Sequence, residues 1–282
     1  MNVRIASFNC ENFGARDNEP KRCDHIVTLW KANPFDVIMI YEVLQNDAPL
    51  RLLALKLSKA SGALWGMFFQ GDYFVDKRHV GCLYRRDVAH PARLSWTIPD
   101  SLRHIGANEG RTHTYSLHRI LVIQIGELTI IGAHLKSLLD RHHGMSSQDK
   151  RDIQIEQVVE WIQHNHPLNV VFMGDFNSND SDTCVVGSSA CNHTTQPLHD
   201  KTLHLTHLVA KGTSPLKTWK GSNKFHPTNL DHLFVSTHLE NNWNLTVVDS
   251  GFTSDHNLLL LTPNPKPRRI GFSLIHKEYK RK

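Results

Sequence analysis

Polar side chains that are costly to bury lie at the ends of apolar segments in six places along the chain. The segments are Ser-Phe-Asn-Cys-Glu-Asn at 7–12, Tyr-Glu at 41–42, Gly-Ala-His-Leu-Lys-Ser at 132–137, Gly-Asp-Phe-Asn-Ser at 174–178, Asn-Leu-Asp-His at 229–232 and Ser-Asp-His at 254–256. A carboxylate that ends a buried strand must be paired, solvated or bound to a metal, because burying it alone costs several kcal/mol. One such residue is usually a cap or a turn former, whereas six segments together predict a shared polar site.

The spacing within these segments indicates the kind of site. Residues i and i+2 of an extended segment point the same way, so Asn9 lies beside Glu11, and Asp175 beside Asn177. Carboxylate and amide oxygens suit a hard cation such as Mg²⁺ or Mn²⁺, whereas thiolate and imidazole ligands suit zinc.

Two Asp-His pairs, at 231–232 and 255–256, place imidazoles beside acids. A general base held in position by a carboxylate requires this combination. Together with a hard cation, the pairs predict metal-assisted attack of water on a phosphate ester.

The elements that must position these residues follow from the spacing of apolar side chains. Apolar runs predict strands at 3–8, 36–41, 80–84, 120–125, 128–133, 169–173, 230–235, 245–248 and 258–261. Helical spacing predicts helices around 26–30, 50–59 and 147–164, and Gly126-Glu127 predicts a hairpin. Because strands outnumber helices and many are consecutive, we expect two packed sheets flanked by helices in one domain at 1–262.

The composition is that of an ordinary globular protein, with 282 residues, 40% hydrophobic, 21% charged and a net charge of +5. These values exclude wholesale disorder and a fibrous repeat, and no segment approaches the roughly 20 unbroken apolar residues of a membrane span.

The five cysteines are scattered, which argues against a zinc site. Cys184 and Cys191 either stay free or close a small loop in an oxidising compartment. No export signal is visible, so we expect an intracellular protein, with a processed secreted form as the alternative.

The six segments, in this order, resemble the endonuclease/exonuclease/phosphatase superfamily, which has the fold of deoxyribonuclease I and the exonuclease III-type AP endonucleases. The likeness covers about residues 1–262. It implies a four-layer α/β sandwich with two central mixed β-sheets and a Mg²⁺ or Mn²⁺ site. Tyr41 departs from the family pattern, where Gln usually precedes the Glu, and Asn-Leu-Asp-His at 229–232 matches neither the inositol-phosphatase nor the AP endonuclease branch.

The resemblance implies which residues bind the metal and which residue acts as the general base. Glu42 is the expected main metal ligand, assisted by Asn9, while Asp255 ligates metal or completes the site. His256 is expected to be the general base or a charged phosphate clamp, and Asp231 orients it.

The resemblance also implies residues that contact the water and the phosphate. Asp175 positions the nucleophile or binds a second cation, and Asn177 holds a phosphate oxygen. His134 and Arg119 are expected phosphate contacts. Glu11 occupies the place of an acidic residue in the AP endonucleases, and we expect it to contact the substrate.

Two basic features bear on the substrate. Trp219 lies between Lys217 and Lys220, a combination that suits stacking on a nucleic-acid strand, although a buried Trp flanked by solvated lysines explains it as well. Lys136 is either a substrate contact or a solvated cation.

Most of the positive charge lies at the C-terminus. Residues 263–282 contain seven Lys and Arg against one Glu, so the tail carries +6 and the body −1. The tail either holds nucleic acid or only solubilises the chain.

Taken together, the motifs, the resemblance and the basic features lead us to expect a monomeric nuclease acting on DNA or RNA. The alternatives are a phosphatase or phosphodiesterase on a lipid headgroup, nucleotide or inositol phosphate, and a catalytically silent nucleic-acid-binding module.

Overall fold

The computed structural model of the chain describes residues 3–14, 19–44, 46–70, 78–94, 119–135, 147–178, 194–210, 216–221 and 227–264. The helices are α1 (Glu19–Ala32), α2 (Ala48–Ser61) and α3 (Ser147–Asn165). The strands are β1 (Ile5–Phe13), β2 (Val37–Leu44), β3 (Trp65–Gln70), β4 (Arg78–Arg85), β5 (Ala92–Arg93), β6 (Ile120–Ile125), β7 (Leu128–His134), β8 (Asn169–Asp175), β9 (Leu205–His207), β10 (Asp231–Ser236), β11 (Trp243–Val248) and β12 (Leu258–Pro263). Every helix and strand predicted from the sequence is present, whereas β3, β5 and β9 were not predicted. Cys184, Cys191 and most of the basic tail lie outside the described residues.

Within the described ranges the strands form two six-stranded sheets, in the orders β11-β12-β1-β2-β4-β3 and β5-β6-β7-β8-β10-β9. Each sheet is mixed, because β1 runs parallel to β2 and β7 parallel to β8, while the other neighbours are antiparallel. Helices α1 and α2 cover the outer face of the first sheet, and α3 covers that of the second. The fold is the predicted four-layer α/β sandwich. None of the described helices is long and apolar enough to cross a membrane.

The core between the sheets is built from alternate residues of the central strands. Along β8, for example, Val171 and Met173 point to the other sheet, while Val170 and Phe172 pack under α3. This alternation carries a polar residue to the inter-sheet face at the end of a strand. The residues placed in this way are Asn9, His134, Asp175 and Asp231.

Glu42 of β2 breaks this alternation. Met39 and Tyr41 face the other sheet, so a regular strand would turn Glu42 toward the helices. Instead, Glu42 has a φ of 59°, and the pairing of β2 with β4 shifts register between Ile40 and Val43. A bulge of this kind re-aims a side chain, and it explains how Glu42 reaches the same strand ends.

Tyr41, which stands where the family pattern has Gln, links the two sheets. Its buried hydroxyl donates to the carbonyl of Met173 at 3.1 Å and accepts a hydrogen bond from Ser7 Oγ at 3.2 Å. This pair of bonds fixes β1 and β2 against β8 directly below the polar strand ends.

We expect Tyr41→Phe to lower the free energy of unfolding by about 1–2 kcal/mol, because Ser7 Oγ and the Met173 carbonyl each lose a buried partner. Chemical denaturation monitored by Trp fluorescence measures the change. The matched control is Tyr84→Phe, since Tyr84 is half-buried and stacks on Phe68, and it should change stability by less than about 0.5 kcal/mol. Equal effects of the two substitutions would contradict the proposed link between the sheets.

Candidate functional site

Three polar residues lie side by side at the ends of neighbouring strands in the second sheet. His134 of β7 is in register with Asp175 of β8, and Asp175 is in register with Asp231 of β10. All three are buried. Two carboxylates directly opposite each other repel, so their burial favours a positive charge between them or a proton on one of them.

His256 supplies that charge. Its Nδ1 lies 2.8 Å from Asp231 Oδ2, and its Nε2 lies 3.7 Å from Asp175 Oδ2. Burial opposes the charged imidazole, but the carboxylates of Asp231 and Asp175 outweigh it and raise the pKa of His256 to about 10. Burial raises the pKa of Asp175 to about 7, because His256 offsets only part of the cost of its charge. The cluster can therefore hold and exchange a proton between the imidazole of His256 and the carboxylate of Asp175.

The first sheet contributes Asn9 and Glu42 to the same place. Asn9 Nδ2 donates to Asp175 Oδ2 at 2.8 Å and lies 3.5 Å from His256 Nε2. Glu42 Oε1 lies 3.6 Å from His134 Nε2. Residues from the strand ends of both sheets thus lie together at one place.

The donor set of the first sheet fits a hard cation. The side-chain amide nitrogen of Asn9 donates to Asp175, so the amide oxygen points away from that carboxylate. This oxygen accepts the Glu11 N–H at 2.9 Å and keeps a second lone pair for a cation. Glu42 Oε2 accepts the Asn12 N–H at 3.0 Å, and Oε1 lies 3.3 Å from Arg78 Nη1. In the part of the chain that the structure describes, no group of three or more His, Cys, Asp or Glu side chains is arranged to hold a metal ion by itself. A cation here would be completed by water and substrate oxygens, which Mg²⁺ commonly retains.

The predicted phosphate contacts lie next to His134. Asn177 donates through Nδ2 to the carbonyl of Leu135 at 3.1 Å, and its backbone N–H donates to Asp175 Oδ1 at 2.9 Å. Arg119 Nη1 donates to the same Leu135 carbonyl at 3.4 Å. Both side chains therefore border one edge of the cluster. Lys136 lies outside the described residues.

Asp255 lies at the more open side of the cluster, with a side chain that is 40% exposed. Its Oδ1 is 3.9 Å from His256 Nε2, and its Oδ2 accepts the indole N–H of Trp219 at 3.1 Å. The contact from Trp219 was not predicted from the sequence. Because the indole N–H is used inside the site, a ligand can reach only the ring itself.

Arg22 of α1 is a further buried residue of the site region that sequence reasoning missed. It pairs with Glu19 at 2.6 Å, and it donates to the backbone carbonyls of Cys10, Glu11 (3.2 Å) and Thr253 (3.3 Å). It therefore ties the end of β1 to the loop that precedes His256. A charged residue in a helix ordinarily indicates a solvated face, so no local signal marked Arg22.

Ser254 makes the direct connection between the two sides of the site. Its hydroxyl donates to the carbonyl of Asn9 at 2.6 Å and accepts the backbone N–H of His256 at 3.1 Å. A proposed metal ligand and the imidazole are therefore held together through one side chain. Because both bonds engage the hydroxyl, Ser254 has no free nucleophilic hydroxyl.

Comparison with known proteins gives one family match. A model for the endonuclease/exonuclease/phosphatase family matches residues 6–256, a range that includes every described site residue. No curated protein sequence matches the chain significantly.

Several solved structures share the fold. An AP endonuclease from Archaeoglobus fulgidus superposes with a TM-score of 0.67 at 11% identity, covering 93% of this chain and 100% of the other. The 3′ phosphatase NExo from Neisseria, bound to a product DNA hairpin, gives 0.66 at 16% identity over 93% and 100%. D. rerio TDP2 complexed with a single-strand DNA product gives 0.62 at 15% identity over 94% and 100%.

We expect Ser254→Ala to lower the turnover of a phosphodiester substrate about 10- to 100-fold, because the imidazole and Asn9 lose their shared anchor. The free energy of unfolding should fall by about 1–2 kcal/mol. Ser58 is the matched control, since its hydroxyl also donates to a carbonyl, that of Ala54 at 2.8 Å, and accepts a backbone N–H, that of Trp65 at 3.0 Å. Ser58→Ala should lose comparable stability and keep its turnover, so a parallel loss of turnover in both variants would refute this positioning role.

Proposed function

We propose that this chain, which belongs to the endonuclease/exonuclease/phosphatase family, is a Mg²⁺- or Mn²⁺-dependent nuclease that hydrolyses phosphodiester bonds in DNA or RNA. Family membership makes it a phosphodiester hydrolase; the metal, the nucleic-acid substrate and the residue roles are the proposal. The observation that carries it is the 2.8 Å contact between His256 and Asp231, placed beside Asp175 and the metal-type donors of the first sheet.

Glu42 and Asn9 are the proposed metal ligands, with Asp255 at the open side of the same cluster. When bound, the cation would neutralise the charge that develops on the phosphate and on the leaving oxygen. The buried carboxylate of Glu42 and the amide oxygen of Asn9 are the donors that such a cation prefers.

His256 and Asp231 are the proposed proton-handling pair. Asp231 fixes a proton on Nδ1 of the imidazole, so Nε2 faces Asp175 and the space where the reacting water would lie. Because its pKa is raised to about 10, the resting imidazole carries a proton on Nε2 and presents it to a phosphate oxygen, and Nε2 takes the proton of the water only in the deprotonated form. General base catalysis of this kind contributes about 10²- to 10⁴-fold. Asp175 orients the water through a remaining lone pair of Oδ2, the oxygen that lies near His256 Nε2.

His134, Asn177 and Arg119 are the proposed contacts to the phosphate, because they border the edge of the cluster at Leu135. Glu11 and Lys136 are proposed as further substrate contacts. Lys136 offers a positive charge, and His134, Asn177 and Arg119 offer N–H donors, of the kind that phosphate recognition uses. The Glu11 carboxylate, in contrast, can only accept a hydrogen bond from a sugar or a base.

The choice of nucleic acid as the substrate rests on two further points. Two of the structures that share the fold hold DNA products, a hairpin and a single strand. Trp219 is half-buried, and Lys217 beside it is exposed, so an aromatic ring and a cation lie next to the Asp255 side of the site, as strand binding requires.

Cleavage assays test this proposal. We expect plasmid DNA or a single-stranded oligonucleotide to be cleaved with Mg²⁺ or Mn²⁺, and EDTA to abolish the cleavage. Bis(p-nitrophenyl) phosphate and a phosphatidylinositol phosphate are assayed in parallel. Preferential hydrolysis of the lipid would favour the phosphatase alternative, and the absence of EDTA-sensitive cleavage of any nucleic acid would refute the nuclease function.

Glu42→Gln and His256→Ala should each lower turnover at least about 100-fold, because one removes charge from the proposed metal site and the other removes the base. Circular dichroism checks that both variants fold. Glu127→Gln, in the exposed hairpin of β6 and β7, and His164→Ala, at the exposed end of α3, are controls that should retain full turnover. Retained activity in either site variant would refute the corresponding assignment.

We also propose that residues 1–262 form the catalytic domain and that the basic tail holds the nucleic acid. Deleting residues 265–282 should then weaken oligonucleotide binding and flatten its dependence on salt, by about 0.7–0.9 in the log–log slope for each phosphate that the tail neutralises. Fluorescence anisotropy from 50 to 300 mM salt measures the slope. An unchanged slope would show that the tail only solubilises the chain.

A further inference from the structure

Phe252 is fully exposed, with a relative accessible area of 104%, although it lies only four residues before His256. Among the described residues the next most exposed large apolar side chain is Leu168, at 74%. Phe252 belongs to the loop between β11 and β12, which also carries Ser254 and Asp255. A large aromatic ring is therefore presented to solvent from the same loop that forms one wall of the site.

Lys220 holds this loop in one conformation. Its ammonium group donates to Ser250 Oγ at 2.7 Å, to the Gly251 carbonyl and to the Ser254 carbonyl at 2.9 Å. It also lies 3.6 Å from Asp249 Oδ1. One cation thus binds the loop on both sides of Phe252.

The opposite side of the loop is held by α1. Arg22 Nε donates to the Thr253 carbonyl at 3.3 Å. Gly251 has a φ of +58°, its N–H donates to Asp249 Oδ1 at 2.8 Å, and a Cβ at this position would lie 3.2 Å from His25 Nε2. The exposure of Phe252 is therefore fixed by a well-bonded backbone and is not the result of a loose loop.

The ring lies within reach of a substrate bound at the site. Four residues span at most about 14 Å from Cα to Cα, which corresponds to about four nucleotides of a strand at 3.4 Å each. The residues on either side, Asp249, Ser250, Thr253 and Ser254, are polar, so Phe252 is an isolated ring along the loop. A protein interface or a bilayer requires a larger contiguous apolar surface, whereas one flat ring suits the face of one nucleobase.

We propose that Phe252 stacks on an unpaired nucleobase within about four nucleotides of the scissile phosphate, and that single-stranded or unpaired nucleic acid is therefore the preferred substrate class. The inference rests on the proposed nuclease function. In a duplex both faces of each interior base are covered by neighbouring pairs, so a ring on the surface has no free face to stack on. A single strand, an overhang or a loop offers such a face.

Phe252→Ala tests the proposal on a single-stranded oligonucleotide and on a blunt duplex of the same sequence. On the single strand we expect Kd and KM to rise about 5- to 100-fold, the effect of losing one stacked base, with a smaller change in kcat. On the duplex the change should stay within about twofold. Phe252→Trp, which keeps the aromatic face, should restore binding of the single strand. Leu55→Ala, at an exposed apolar position on α2, is the control and should bind both substrates as the wild type does.

An unchanged Kd for the single strand in Phe252→Ala would overturn the inference, and so would an equal loss on bis(p-nitrophenyl) phosphate, which carries no base and would report a disturbed loop. A wild-type protein that cleaves no nucleic acid would instead refute the proposed function, so the two failures are distinguishable.

Discussion

Two buried carboxylates, Asp175 and Asp231, face each other across adjacent antiparallel strands, and the rest of the site follows from this constraint. Like charges at this distance are unfavourable unless a cation lies between them. His256 meets the requirement only if its loop is held in place, which is what Ser254 and Lys220 do through buried and half-buried hydrogen bonds. The charge pair that we propose handles the proton is thus also the reason why the loop must be rigid.

Backbone strain is concentrated in the same region. Of the described residues other than glycine with positive φ, four belong to the site segments: Glu11, Asn12, Glu42 and Asn177. Each such conformation costs about 1–3 kcal/mol and persists only where surrounding contacts enforce it. Here the enforcing contacts are the Asn12 N–H bond to Glu42, the Asn177 N–H bond to Asp175 and the bond from Arg22 to the Glu11 carbonyl. The interactions that orient the functional groups therefore also stabilise the strained backbone.

The sequence predicted most of this architecture because buried strands have a simple pattern. Asn9 and Asp175 converge since both end apolar strands on the inter-sheet face. The position of Glu42 could not be predicted in this way, because strict alternation turns it toward the helices and only the bulge redirects it. Strand β3 (Trp65–Gln70) was missed because Gly66 interrupts its apolar run. The contacts of Arg22 join segments far apart in sequence, which no local pattern reveals.

Because the candidate site is built from two sheets, its strand-end residues and its loop residues are constrained differently. Asn9 must reach Asp175 across the inter-sheet core, and Tyr41 holds that core together directly below. A substitution at these strand ends therefore disturbs both the packing of the two sheets and the positions of the side chains in the candidate site. A loop residue such as Phe252 touches neither and can be altered at little structural cost. Strand-end residues that follow the regular alternation can thus be predicted from the sequence because the fold constrains them, whereas the substrate choice that we propose rests on a loop whose side chain the core does not constrain.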